Sequence, residues 1–341
     1  MTLLSRTHTH TPKSPLFCGI LANTLLSTVP GLSGAGPNPQ GSLMVPILDA
    51  ELIIKGKITS CNATPNTGTG CPTPASITRS MAELAGFPVI FINAGLVHQP
   101  NVPCLDFYSS PGKDPRKEPA VPDAYRLYTN GQWAGRFLSE TYDTLVIGEC
   151  VPGGTTTALC ILRACGYQAH VSSAATKSPK ELKEEIVNAT LQRIKTLGTK
   201  NPLDLIREVG DPMMAVVAGI ASTYTGTLFL AGGTQMLAVA ATVKALGMPV
   251  PEVVTTVYVR DDKDANCIDL AAQIGAPLTI VDPDFGAIGH SGLVRYCIGE
   301  VKEGMGAGGA IFLAHLMGHQ LSEIKESILR FVTTYCPSKP L

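Results

Sequence analysis

Charge is scarce in this chain: Asp, Glu, Lys and Arg make up 16% of its 341 residues, against about 25% in ordinary soluble proteins. The two signs nearly cancel to a formal net charge of −1. No global basic field exists to hold a polyanion, which argues against a nucleic-acid-coating protein. Disorder is excluded as well, because hydrophobic residues reach 45% and disordered chains need low hydrophobicity with high net charge. A spanning helix also lacks its sequence. Residues 213–243 carry no charge, but Ser222–Thr227 and Gly232-Gly233-Thr234-Gln235 interrupt them before any 18-residue apolar run forms. The pattern there reads helix, strand, glycine turn, helix. Arg6 and Lys13 ahead of an uncharged stretch mimic a secretory signal only faintly, since Asn23, Pro30 and several glycines break its apolar core. No Cys-x-x-Cys pair occurs among the ten cysteines. Their scattered spacing suits small buried hydrophobes in a reducing compartment, so the cytoplasm is the expected location.

Glycine (34) and proline (26) are plentiful, and short apolar runs alternate with helical patterns. Strands are predicted at residues 87–95, 143–148, 168–173, 227–231, 253–259 and 278–281. Their near-continuous apolar character fits strands covered on both faces of a parallel sheet. A helix is predicted over 155–164, closed by Gly166. Another opens with a capping box at Ser178-Pro179-Lys180-Glu181 and ends near Gly198, and a third starts at Asp211-Pro212. The expected fold is α/β, doubly wound and Rossmann-like, with a mainly parallel sheet and a small helical part from the chain ends. The expected divisions are a loop-rich segment at 1–45, the core at 46–306 and an apolar helical segment at 307–341.

Ligands in open α/β sheets bind at the carboxyl ends of strands, so the loops there carry the functional signal. The strand at 143–147 runs into Gly148-Glu149-Cys150-Val151-Pro152-Gly153-Gly154-Thr155-Thr156 and then a helix. Backbone N–H groups of such a turn, with hydroxyls at a helix start, suit a phosphate. The spacing nearly spells the triphosphate loop, but Gly154 stands where that motif needs lysine, so a monophosphate ester fits better than ATP. A tight strand–helix turn with threonine caps is the plain alternative. Gly232-Gly233-Thr234 is a further glycine turn after a buried strand.

Gly304-Met305-Gly306-Ala307-Gly308-Gly309 matches the dinucleotide fingerprint by letters, but too little chain follows to complete a βαβ unit and its ribose-binding acid. Acids beside these loops stand out because charge is rare. Glu149, Glu303, Asp49 and Glu51 are candidates for a carboxylate with a raised pKa acting as general base, while Glu300 and Lys302 read as solvated loop residues. His315 and His319 lack the intervening glutamate of a metalloprotease helix. His290, in a loop leaving a strand, is the better site candidate.

Taken together, Gly148-Glu149 through Gly154-Thr155-Thr156 and Glu303-Gly304-Met305-Gly306-Ala307 resemble the nicotinate-nucleotide–dimethylbenzimidazole phosphoribosyltransferase family. That family's loops read Gly-Glu-Met-Gly-Ile-Gly-Asn-Thr-Thr and Gly-Glu-Gly-(Ser/Thr)-Gly-Ala. Leu21-Ala22-Asn23-Thr24, Pro30–Gly36, Asp49-Ala50-Glu51, Pro72–Arg79 and Leu230–Met236 look like a divergent archaeal and cyanobacterial branch of it. The resemblance runs from about Phe17 to His319. It implies transfer of the phosphoribosyl group of nicotinate mononucleotide to a benzimidazole- or purine-type base in cobamide lower-ligand synthesis.

On that resemblance Glu303 falls at the family's general base and Glu149 at its second glutamate. Gly153, Gly154, Thr155 and Thr156 fall at the phosphate loop, and Lys183 best matches its lysine. Gly232, Gly233, Thr234, Gly304, Gly306 and His290 complete the expected substrate-binding set. The chemistry implied calls for no metal and no cofactor, and the resemblance suggests a homodimer; neither a nucleic acid nor a membrane is expected as a partner. Cys150-Val151-Pro152 and Met305 depart from the family letters, and its Pro-Gly-Ser-Leu-Gly segment has no counterpart here, which leaves the acceptor base open. A non-catalytic nucleotide sensor with the same phosphate site is the alternative.

Overall fold

The computed structural model describes residues 2–173, 175–176, 178–199 and 201–336. Seven parallel strands form one sheet: β1 (Pro15–Ala22), β2 (Val89–Gly95), β3 (Leu105–Asp106), β4 (Thr144–Cys150), β5 (Thr227–Ala231), β6 (Glu252–Thr256) and β7 (Leu278–Val281), in the order β3-β2-β1-β4-β5-β6-β7. The order reverses between β1 and β4, and in open α/β sheets the ligand crevice lies at such a reversal. Ile20 of β1 stands in register with Glu149 of β4.

Two cores explain the apolar runs. Leu145 and Ile147 of β4 and Leu230 of β5 face one core, while Val146, Phe229 and Ala231 face the other. Both strand faces are therefore dry, as expected for helix-covered parallel strands. Helices Ala124–Ser139, Gly154–Ala164, Pro212–Ala221 and Thr234–Ala245 contribute to the first core. Pro74–Ala85, Ala307–Leu316 and Leu321–Tyr335 contribute to the second. The uncharged stretch resolves into helix Pro212–Ala221, β5 and helix Thr234–Ala245, and no helix among the described residues is long and apolar enough to cross a membrane.

Several expectations need correction. Pro15–Ala22, placed in a loop-rich segment, is instead a fully buried inner strand, and helix Pro39–Lys55 runs across residue 45. Gly19 makes β1 possible, since a Cβ there would lie 2.5 Å from the Phe91 ring. Residues 168–173 are no strand, because β5 occupies the place beside β4. That segment is held by side chains: His170 N–H donates to Asn266 Oδ1 at 2.8 Å and Gln168 N–H to Gln273 Oε1 at 3.1 Å. The strand expected at 253–259 stops at Thr256, whose hydroxyl accepts from Val259 N–H and turns the chain into helix Val257–Arg260. The capping box at Ser178 does not form; helix Lys180–Lys195 starts after Pro179 without a side-chain cap, and Ser178 Oγ pairs with Ser173 Oγ at 3.0 Å. The apolar 307–334 stretch is two helices, broken at Gly318 (φ +103).

Candidate active site

The site is built at the carboxyl ends of β4 and β5. Glu149 is the penultimate residue of β4 and is buried. Its carboxylate accepts from Val151 N–H at 3.1 Å and from Gln235 Nε2 at 3.0 Å. The second glycine loop lies across the same strand end. Met305 N–H donates to the Glu149 carbonyl at 2.9 Å, and a Cβ on Gly148 would meet the Met305 carbonyl at 3.0 Å. Gly306 (φ +64) admits this approach, since a Cβ there would lie 2.8 Å from the Gly148 Cα. No strand leads into this loop, in keeping with rejection of the dinucleotide reading.

Glu303 thereby comes beside Glu149. Its carboxylate accepts from Gly304 N–H at 3.0 Å and from Gly308 N–H, in the first turn of helix Ala307–Leu316, at 3.1 Å. Burial pushes the Glu303 carboxyl up to about 8, with backbone donors at Gly304, Gly308 and Ala307 opposing it. Burial also pushes Glu149 up to about 8, with like-charge repulsion from Asp211 and Glu303 added. Asp211, buried in contact with the Thr157 hydroxyl at 2.6 Å, is raised to about 6 by burial. Carboxyls raised by burial and like-charge neighbours cluster at functional sites.

The first glycine loop forms the opposite lobe. Gly153 (φ +81) packs so closely that a Cβ would touch Ser27 N at 3.0 Å; at Gly154 it would lie 1.8 Å from Gln235 Oε1. Among the described residues, Thr156 Oγ1, Thr234 Oγ1 and Gln235 Oε1 are buried without a hydrogen-bond partner, all at the starts of the two helices that follow β4 and β5. Unsatisfied polar atoms so placed call for a ligand or water. Gly232 (φ +159) and Gly233 form the turn between β5 and Thr234, and a Cβ on Gly232 would come within 3.7 Å of Glu149 Oε1. Lys183 reaches the lobe from helix Lys180–Lys195. Its Nζ donates to Thr155 Oγ1 at 3.0 Å and to Ser173 Oγ, and burial lowers its ammonium to about 8.

Glu149, Glu303, the three glycine turns, Thr155, Thr156, Thr234 and Lys183 therefore converge. His290 does not join them: it is buried against Gly292 near the Cys336 backbone and makes no hydrogen bond to either glutamate. Lys302 is a correction. It is 7% exposed, not solvated, with its carbonyl accepting from Thr256 Oγ1 at 2.6 Å. Glu300 is likewise engaged, by Thr67, Thr69 and Arg295. The sequence reading singles out neither Gln235 nor Asp262 as a site residue, and takes Asp211 only as a helix start. Gln235 directly follows the Gly-Gly-Thr turn, which was the available signal.

His315 and His319 do not share a helix face, because helix Ala307–Leu316 ends between them; His315 Nδ1–H donates to the His319 carbonyl at 3.0 Å. Among the described residues no group of three His, Cys, Asp or Glu is arranged to hold a metal. Asp49, raised to about 7 by burial, lies behind the strand end against Thr73 and Cys150. Glu51 is held by Lys55 and Thr59, away from the glycine turns, and its carboxyl lies well below the usual range. A cavity of about 260 Å³ lies elsewhere, lined by Lys55, Arg79, Glu83 and Arg330 among others. Lys55 and Arg79 there already carry their own carboxylates, Glu51 and Glu83.

Two solved structures share this architecture. The nicotinate-nucleotide–dimethylbenzimidazole phosphoribosyltransferase of Thermus thermophilus superimposes with a TM-score of 0.62 at 17% identity, covering 94% of this chain and 84% of that one. CobT from the same organism, in a second solved structure, gives 0.60 at 17% identity over 93% and 84%. The resemblance carried by the glycine loops is thus matched at the level of the fold. No family model matches the chain. It is 42% identical over 319 residues to the UPF0284 protein of Thermococcus gammatolerans, covering 92% of this chain and 96% of that protein. With the UPF0284 protein of Methanosarcina acetivorans it shares 41% over 330 residues, 94% and 95% of the two chains. The chain belongs to the UPF0284 family.

Proposed function

We propose that the protein is a phosphoribosyltransferase that moves the phosphoribosyl group of nicotinate mononucleotide to a benzimidazole- or purine-type base. The observation that carries this reading is the meeting of two buried glutamates with a glycine loop and a buried lysine at the sheet's order reversal. The 5′-phosphate docks in the Gly153–Thr155 turn, on the N–H groups of Gly153 and Thr155, and on Lys183, the Gly154 N–H being donated to the Val151 carbonyl at 2.8 Å. The acceptor nitrogen attacks the anomeric carbon while the bond to nicotinate breaks, its electron pair passing to the pyridine nitrogen. Glu303 takes the acceptor's proton, and Glu149 stabilises the positive charge on the ribosyl ring.

Burial pushes both carboxyls up, to about 8, in the free protein. The pyridinium of the bound mononucleotide favours their ionised forms and draws these values down, so substrate arrival itself arms the site. Their neutral state without substrate is also what favours the second reading, a nucleotide sensor without transfer.

Glu303→Gln tests the assignment. The variant is expected to lose turnover far more than mononucleotide binding; equal loss of both, or unchanged turnover, overturns the base role. Incubation of the wild type with nicotinate mononucleotide and a panel of bases, followed by mass spectrometry, identifies the acceptor through its α-ribotide. Calorimetric binding with no nicotinate release for any base selects the sensor. We place the protein, on the resemblance, as a cytoplasmic homodimer acting on these small molecules.

A further inference from the structure

Lys302 directly precedes Glu303 yet faces the other lobe. Its Nζ donates to the Ser173 carbonyl at 2.7 Å and to the Ala175 carbonyl at 3.0 Å, and pairs with Asp262 at 3.3 Å. The desolvation of a buried ammonium is offset only where its partners are well placed. Here they are, and two of them, Ser173 and Asp262, lead on to Lys183. Ser173 is shared between the two lysines, its carbonyl taking Lys302 and its hydroxyl taking Lys183. Asp262 accepts from Ser172 Oγ at 2.6 Å, and the Ser172 carbonyl accepts from Lys183 at 3.4 Å. Lys183 then meets Thr155, in the first turn of helix Gly154–Ala164. Two ammoniums and one carboxylate close this network with a residual positive charge beside a helix N-terminus. Asp264, the other nearby acid, is engaged by Lys180 at 2.7 Å.

We propose that Lys302 is the positioning residue of the phosphate lobe: by fixing Ser173 and Asp262 it holds Lys183 against Thr155, where an incoming dianion meets it. This rests on the reading of the Gly153–Thr155 loop and Lys183 as the phosphate site. It also ties that lobe to Glu303 through a single peptide bond, so the group that grips the phosphate and the group that takes the proton are set by one loop. Burial lowers the Lys183 ammonium to about 8; Asp262 and Asp264 raise it and Lys302 lowers it further. Anion binding by Lys183 therefore weakens above about pH 8, and the position of that alkaline limb reports the network's charge.

The test is calorimetry of the full chain with sulfate, whose charge is constant between pH 6 and 10. Wild-type affinity is expected to fall about tenfold per pH unit above the limb. Lys302→Met is expected to bind sulfate more weakly at pH 7, with its limb moved to higher pH. Asp262→Asn is expected to move the limb to lower pH, and provides the readout if Lys302→Met fails to fold. Lys302→Arg, which keeps the charge, is expected to leave the limb in place. A limb that stays put in Lys302→Met, or in Asp262→Asn where that is the readout, overturns the positioning role. Sulfate binding that survives Lys183→Met undiminished overturns instead the phosphate-site reading beneath it.

Discussion

Gln235→Leu separates the role of Glu149 from the stability of its surroundings. Gln235 Nε2 is the side-chain donor to the Glu149 carboxylate, at 3.0 Å, while Val151 N–H remains on the other oxygen. A hydrogen bond to a charged group contributes about 1.5–3 kcal/mol, and one pKa unit corresponds to about 1.4 kcal/mol. Removing the amide therefore raises Glu149 by about one to two units above its value near 8, because Asp211 and Glu303 still repel its charge. Leucine keeps the volume and also removes the unpartnered Gln235 Oε1, so the fold loses little. Phosphoribosyl transfer should consequently fall about ten- to a hundredfold at pH 7, its acid limb moving to higher pH, where loss of the Lys183 proton limits the recovery. The assay is kcat/KM for nicotinate release across pH 6 to 10, beside denaturant unfolding of the same variant. An acid limb at the wild-type position refutes the reasoning, whatever happens to the plateau.

Stability of the ligand-free protein should decline between about pH 5 and 8. Glu149, Glu303, Asp49 and Asp211 are all raised by burial, to about 8, 8, 7 and 6. The folded chain thus keeps protons that the unfolded chain has released, and stability present below the unfolded carboxyl values is lost as pH climbs through the folded ones. Urea unfolding at pH 5, 6.5 and 8 checks this; a stability that rises over that range contradicts it. Gly309→Ala should cost about 1–3 kcal/mol by overpacking, since its Cβ would lie 2.2 Å from that of Ala231. The same substitution lifts Gly308 N–H from Glu303, so turnover should fall more than unfolding free energy alone explains, as paired kinetic and denaturation measurements would show.

The parallel sheet was legible because its strands are buried on both faces and so read as apolar runs bounded by glycine. β1 escaped because Pro15 and Gly19 and the Pro/Gly-rich sequence around it read as loop, although Gly19 is there to let the Phe91 ring pass. Residues 168–173 misled in the opposite direction: locally extended sequence, but with its backbone groups taken by Asn266 and Gln273 rather than by a neighbouring strand. In the candidate site, Glu149 and Glu303 stood out as acids set in glycine. Asp211, Gln235 and Asp262 did not, since each becomes meaningful only through a partner 54, 86 or 90 residues away. Lys302 looked solvated because nothing in its neighbours along the chain foretells the carbonyls of Ser173 and Ala175.

The first residues of the chain end beside the last strand. Leu4 bridges Val281 in antiparallel fashion, Ser5 N–H donates to the Ile280 carbonyl at 3.0 Å and Asp282 N–H to the Leu3 carbonyl at 2.8 Å. Open strand edges invite pairing with other chains, and here the segment that guards the edge precedes that edge in the chain. During synthesis the β7 edge is shielded as soon as it exists, without waiting for any later segment. The opposite edge, β3, has only two residues, too short to template a neighbour. The sheet is thus closed against self-association at one side by brevity and at the other by the order in which the chain is built.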